Sequence, residues 1–80
     1  MQDVRAQLGR TIQKLRRSRR LSQEELAHIA GIDRAYMSRI ERGLPDLGIE
    51  MLVRLSKALG VKPSDLLAEL ASYENEQPPD

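Results

Sequence analysis

Residues 23–42 read QEELAHIAGIDRAYMSRIER, and they are the most informative stretch of the chain. The pattern predicts two helices of about eight to ten residues with a link of about two or three residues. So short a link makes the helices cross steeply instead of lying antiparallel. A close crossing needs a small residue on the first helix, which Ala27 supplies, and then a left-handed turn residue, which Gly31 supplies.

Apolar residues of the same stretch lie where the wedge between the two helices has to be filled. These residues are Leu26, Ala30, Ile32, Met37 and Ile40. Each feature alone is common, since a glycine after a helix is usually only a cap, but the combination is specific for a helix-turn-helix. Ile29 is also expected on the buried side. His28 has no Cys or other His nearby, so we expect it to face solvent and to bind no metal.

Three more helices and no strand are predicted around this pair. A helix over residues 3–19 has the apolar stripe Val4, Leu8, Ile12 and Leu15. Residues 49–59 form the fourth helix, whose inner stripe is Ile49, Leu52, Leu55, Ser56 and Leu59. The fifth begins with Pro63 at its first position, and its apolar residues are Leu66, Leu67 and Leu70.

Residues at the helix starts support these boundaries. Residues 22–25 read SQEE, which is a capping box, and Asp33 is the expected N-cap of the third helix. From Tyr73 onward the composition cannot bury a core. We therefore expect a single domain over residues 1–72 and a disordered tail over residues 73–80.

The composition excludes several classes of protein. The 80 residues include 13 Lys+Arg, 12 Asp+Glu and no Cys, so disulfides, zinc thiolates and a cysteine nucleophile are excluded. No apolar run could span a membrane and no leader segment is present, so we expect a cytoplasmic protein without a membrane partner. No phosphate loop or nucleophile–base pair is found. We expect no enzyme activity, cofactor, metal or small-molecule ligand.

Charge is unevenly distributed along the chain. Residues 1–44 hold ten basic and five acidic residues, whereas residues 45–80 hold three basic and seven acidic ones. The first part suits a polyanion and the second repels one. Residues 5–20 carry seven basic residues and no acid. Such a run is also typical of a solvated helix face, and the charge alone does not choose between the two.

Several segments make the chain resemble a known family. They are SQEELA at 22–27, GIDRAYMSRIERG at 31–43, ALGV at 58–61 and Leu66-Leu67. Over about residues 5–71 the chain resembles the XRE family of Cro- and phage-repressor-like helix-turn-helix proteins, and residues 31–43 are similar to controller proteins of restriction–modification systems. The resemblance implies an all-α, five-helix lambda-repressor-like DNA-binding domain, a homodimer, and a third helix, residues 33–42, in the DNA major groove.

The start of that third helix should contact base edges in double-stranded DNA. The candidates are Arg34, Ala35, Tyr36, Ser38 and Arg39. Arg34 and Arg39 can each bond guanine in bidentate fashion, although either could be a solvated residue or a phosphate contact instead. Ala35 could touch a thymine methyl. Tyr36 and Ser38 could reach a base or a phosphate, and Tyr36 could pack on the domain.

Other positions are candidate phosphate, structural or dimer contacts. The resemblance implies a phosphate contact for Gln23, and Arg42, Arg19 and Arg20 are further candidates. It also implies a buried ion pair between Arg16 and Glu41, so Glu41 is expected to be structural. The expected dimer interface consists of Leu66, Leu70, Met51 and Val53.

The sequence departs from the family pattern at the end of the first helix and at the starts of the fourth and fifth helices. Arg20 stands where glycine is common, and because a left-handed arginine is strained, the first helix is expected to end differently. Gly48 and Lys62 stand where Ser or Thr caps are common, so those helix starts should fray more.

The sequence therefore predicts a transcriptional regulator that binds a near-palindromic operator as a homodimer. The alternative is an interaction module with the same fold, which binds a protein as an antitoxin binds its toxin. A steep salt dependence of duplex binding would distinguish the first from the second.

Overall fold

Five α-helices and a final 3₁₀-helix make up residues 3–70, the part of the chain that this computed structural model describes. The helices are α1 (Val4–Ser18), α2 (Gln23–Ala30), α3 (Arg34–Glu41), α4 (Ile49–Leu59) and α5 (Pro63–Leu67), and the 3₁₀-helix is Ala68–Leu70. Within this range the predicted five-helix, all-α fold is confirmed. Beyond α5 the chain continues in the tighter 3₁₀ geometry, so Leu70 lies in the 3₁₀-helix. The prediction for residues 73–80 lies outside the described residues.

Side-chain caps fix the starts of α2 and α3 as predicted. The hydroxyl of Ser22 accepts the N–H of Glu25 at 3.0 Å, and the Glu25 carboxylate accepts the N–H of Ser22 at 2.9 Å. The Asp33 carboxylate accepts the N–H of Tyr36 at 2.7 Å. Gly48, at the start of α4, supplies no side-chain cap. Backbone N–H groups in the first turns of both α2 and α3 are thus hydrogen-bonded to capping side chains, which fixes where each helix begins.

Helices α1 to α4 all end with the same hydrogen-bond pattern. The N–H groups of Leu21, Ile32, Leu44 and Val61 donate to the carbonyls of Arg16, Ala27, Arg39 and Ser56 at 2.9–3.1 Å. The residue before each of these donors has positive φ, and in α1 that residue is Arg20, with φ 57°. The expectation that α1 ends differently is therefore wrong. Arg20 adopts the left-handed conformation because that bond and the packing of Leu21 on the core both require it.

The core is entirely aliphatic. Its buried members are Ile12, Leu26, Ala27, Ala30, Met37, Ile40, Leu55, Leu59 and Leu66. Three residues predicted on buried faces are exposed instead, since Val4 is 37%, Ile29 is 54% and Ile49 is 81% exposed. Val4 is the first residue of α1. The buried face of the short helix α2 is centred on Ala27 and Ala30, which turns Ile29 outward. Ile49 is the first residue of α4, where the elements packed on that helix do not cover it.

Gly9, which the sequence analysis did not single out, sets the distance between α1 and α3. A Cβ added at Gly9 would lie 2.6 Å from the carbonyl oxygens of Ile40 and Glu41. The two helix backbones are therefore in direct contact at this point. A glycine inside a helical pattern was the available signal, because it usually has a packing reason. By contrast, a Cβ at Gly31 would meet nothing within 4 Å, so Gly31 is needed only for its positive φ.

Within residues 3–70, no helix has the length and apolar character needed to cross a lipid bilayer.

Candidate nucleic-acid interface

Helix α3 has one face in the core and one face in solvent. Met37, Ile40 and Glu41 are buried, whereas Arg34, Ala35 and Arg39 are exposed. This separation follows from the helical period, because residues three and four apart lie on the same side. The core contacts fix the orientation of the helix, and the solvent face is left available for a partner.

One open groove gathers most of the predicted contact residues. It is lined by Gln23, Arg34, Ala35, Ser38, Arg39 and Arg42. The lining holds three guanidinium groups and no carboxylate, so the groove is positively charged and suits a polyanion. Arg34 and Arg39 form no ion pair within the described part of the chain. Their guanidinium groups are therefore available to a ligand.

Tyr36 is the one predicted base contact that does not line this groove. Its side chain is half-buried and packs against the core. The structure thus corresponds to the alternative in which this tyrosine packs on the domain.

Arg19, a predicted phosphate contact, is exposed and forms hydrogen bonds within the protomer. Its Nε donates to the carbonyl of Leu59, and its Nη1 donates to the Ser18 hydroxyl at 3.0 Å. The guanidinium therefore lies against the C-terminal end of α4, where orphan carbonyls and the helix dipole favour a cation. Arg20 is exposed but does not line the groove.

The Arg16–Glu41 ion pair implied by the family resemblance is present. Arg16 Nε lies 2.6 Å from Glu41 Oε2, and Arg16 Nη2 lies 3.0 Å from Glu41 Oε1. The two side chains are 10% and 2% exposed. Arg16 also donates to the carbonyl of Leu21 at 2.8 Å. The pair joins α1 to α3 behind the groove.

Gln23 of α2 also binds this ion pair, so the pair connects three helices. This contact was not predicted from the sequence. Its Nε2 donates to Glu41 Oε1 at 3.0 Å. Gln23 and Glu41 are 18 positions apart, and their contact depends on the crossing of α2 and α3. No local sequence signal marks such a contact.

The predicted dimer residues divide between core and surface. Leu66 is fully buried within the protomer, so its prediction as an interface residue is wrong: α5 turns this side chain into the core between α1 and α4. Met51, Val53 and Leu70 are half-buried. The exposed apolar residues near them in sequence are Ile49 and Leu67.

Ionisable groups with shifted pKa values lie outside the groove lining. Hydrogen bonds from the backbone and side chain of Ser22 lower the pKa of Glu25. Lys14, whose Nζ lies 3.0 Å from Glu69 Oε1, lowers the pKa of that carboxyl. Within residues 3–70 no cluster of three or more His, Cys, Asp or Glu residues could hold a metal ion. The groove lining itself offers three guanidinium groups, the Gln23 amide and the Ser38 hydroxyl as hydrogen-bonding groups.

Comparisons with known proteins agree with this description. Residues 12–66 match the family described as Helix-turn-helix, HTH_3. The control protein C.BamHI of Bacillus amyloliquefaciens is 39% identical over 66 residues, which span 81% of this chain and 82% of that protein.

Solved structures give the same result. The restriction-modification controller protein C.AhdI from Aeromonas hydrophila matches with a TM-score of 0.74 at 34% identity, over 76% of this chain and 92% of that one. SinR, a master regulator for biofilm formation solved in complex with DNA, matches with a TM-score of 0.71 at 36% identity, over 75% of this chain and 97% of that one. The chain therefore belongs to the HTH_3 (XRE-type) family of helix-turn-helix DNA-binding transcriptional regulators, and it is similar to restriction–modification controller proteins.

Proposed function

We propose that this protein binds a near-palindromic operator in double-stranded DNA as a homodimer and thereby regulates transcription. The observation that carries the proposal is the positive groove on the solvent face of α3. An α-helix fits the B-DNA major groove, where each base pair presents a distinct pattern of donors and acceptors. Helix α3, within the predicted span 33–42, is the recognition helix.

The groove residues take different parts in this proposal. Arg34 and Arg39 read bases, and Ala35 and Ser38 complete the surface that faces the base edges. Gln23, at the start of α2, and Arg42, just after α3, bind phosphates on either side of the recognition helix. Arg20 is kept as an outlying phosphate contact because it is exposed and cationic.

A second copy of the chain is the proposed partner of the exposed apolar surface at α4 and α5. Ile49, at 81% exposure, and Leu67, at 40%, are large apolar residues that the protomer leaves in solvent. Met51 and Val53, on α4, and Leu70, in the 3₁₀-helix, are half-buried apolar residues. Exposed apolar side chains of this kind favour burial in a symmetric dimer. The two recognition helices would then enter major grooves about 34 Å apart.

Regulation is proposed to follow protein concentration through the monomer–dimer equilibrium. A dimer that persists below nanomolar concentration would contradict this part of the proposal.

Selection of bound sites from a random duplex pool, followed by a salt titration of the selected site, tests the function. We expect a two-fold symmetric site, and an affinity that falls with salt at a log–log slope of about −0.9 for each phosphate neutralised. No duplex affinity at about 50 mM salt would overturn the proposal and favour the protein-binding, antitoxin-like alternative.

A further inference from the structure

Glu41 connects the buried framework of the domain to a residue of the DNA groove. Its Oε2 accepts from Arg16 of α1, and its Oε1 accepts from both Arg16 and Gln23 of α2. The Glu41 side chain is 2% exposed, so it does not reach a ligand in the groove. Gln23 is half-buried and lines the groove. Of the two residues that donate hydrogen bonds to Glu41, Gln23 is the one that lines the groove.

The chemistry of Glu41 determines which end of the Gln23 amide faces it. A carboxylate paired with a guanidinium is ionised, and an ionised carboxylate accepts hydrogen bonds but donates none. The NH₂ group of Gln23, and not its carbonyl oxygen, must then lie against Glu41. That NH₂ group has two N–H bonds, and only one of them is needed for the 3.0 Å contact with Glu41 Oε1.

We propose that Glu41 is a positioning residue for DNA binding: it holds the Gln23 amide so that the second N–H of Gln23 is available to a DNA phosphate. If the amide were turned over, its carbonyl oxygen would take the place of the NH₂ group beside Glu41 Oε1, where two acceptors repel each other, and the N–H offered to the phosphate would be lost from that place. The Glu41 carboxylate excludes that orientation. This inference rests on the proposed function, and it gives Glu41 a role beyond the stability of the ion pair.

The test measures how much Gln23 contributes to DNA affinity with and without the Glu41 carboxylate. Affinity for the selected duplex is measured by fluorescence anisotropy for Gln23→Ala in three backgrounds: the natural sequence, Glu41→Gln and Arg16→Lys. The Arg16→Lys background is the matched control, because it disturbs the same ion pair and keeps the carboxylate. Thermal unfolding of every variant confirms that each is folded at the assay temperature.

We expect Gln23→Ala to weaken binding about tenfold in the natural sequence and in the Arg16→Lys background. In the Glu41→Gln background it should weaken binding less than about twofold, because the amide no longer has a fixed orientation. A purely structural Glu41 would instead leave the effect of Gln23→Ala the same in all three backgrounds, and that result would overturn the inference.

Glu41→Gln leaves Arg16 buried without its counter-charge, and this variant can fail to fold. The double variant Arg16→Met/Glu41→Gln removes both charges together and replaces it as the background in that case. A wild-type protein that binds DNA but is insensitive to Gln23→Ala would overturn the inference and leave the proposed function standing. A wild-type protein that binds no duplex would overturn the proposed function and the inference with it.

Discussion

A substitution at Arg34 can distinguish base recognition from phosphate binding. It is exposed, lines the groove and forms no ion pair within residues 3–70. Because the side chain is exposed, its removal opens no cavity in the core, so a loss of affinity reports on DNA contact.

Arg34→Ala should lower affinity for the selected operator by about 1–3 kcal/mol and lower affinity for random duplex by less. The measurement is anisotropy on both duplexes, with Lys57→Ala as the control. Lys57 is exposed, carries the same charge and does not line the groove. Equal losses on the two duplexes would make Arg34 a phosphate contact.

The backbone conformation of Arg20 lowers the stability of the domain. Only Arg20 among the non-glycine residues described has positive φ, and a side chain in this region costs about 1–2 kcal/mol. Arg20→Gly should raise the free energy of unfolding by about 1 kcal/mol, after the greater flexibility of glycine in the unfolded chain is allowed for. Urea unfolding measures the change. A loss of stability would mean that the Arg20 side chain makes a stabilising contact that outweighs its strain.

Among elements, the packing of α1 on α3 fixes the position of α3, the proposed recognition helix. Gly9 allows backbone contact at the crossing, and the carbonyl groups it approaches belong to α3 itself. Gly9→Ala should destabilise the domain by about 1–3 kcal/mol, because backbone, unlike a flexible side chain, cannot easily move aside. Thermal unfolding measures this, and the difference between Arg10→Gly and Arg10→Ala, at an exposed position of the same helix, shows how much of the change comes from helix propensity alone. An unchanged or higher unfolding temperature in Gly9→Ala would contradict the close approach.

The start of α2 should make stability depend on acid pH. Hydrogen bonds from Ser22 lower the pKa of Glu25 in the folded state. A lowered folded-state pKa means that this stabilisation is complete above the unfolded-state pKa and is lost as the pH falls through the folded-state value. Glu25→Gln keeps a capping acceptor but cannot take up a proton.

The unfolding temperature of Glu25→Gln should therefore fall less than that of the natural sequence between about pH 5 and pH 3. Glu69, whose pKa is also lowered, is present in both proteins and cancels from the difference. Parallel pH curves for the two proteins would show that the Glu25 pKa is not lowered.

Elements and site residues differ in how far the sequence predicted them. Caps such as Ser22 and Asp33 and the stripe through Ile12 are local patterns, so helix order and most of the core followed from them. Ile49 was wrongly predicted to be buried, because the spacing of apolar residues along α4 does not show how far the neighbouring helices cover that helix. The contact of Gln23 with Glu41 was missed because it exists only once α2 and α3 have crossed.

For the whole molecule, the main expectation is that the apolar surface at α4 and α5 controls self-association. Ile49→Glu should weaken dimerisation at least about tenfold, because a symmetric interface brings each introduced charge opposite an apolar surface and near its own copy. Sedimentation velocity measures the monomer–dimer equilibrium. Ile29→Glu is the matched control, since Ile29 is an exposed isoleucine on a different helix. Dimerisation that is lost only in Ile29→Glu would place the interface on α2 instead.

The two-faced character of α3 has a consequence for how such proteins diversify. The side chains proposed to read the operator, at Arg34, Ala35 and Arg39, are exposed, and those that hold the helix in place, at Met37 and Ile40, are buried. Substitutions on the outer face can accumulate without a penalty in folding. A lineage can thus drift to a new target sequence on an unchanged scaffold, and an engineer can retarget the protein by randomising the outer positions alone.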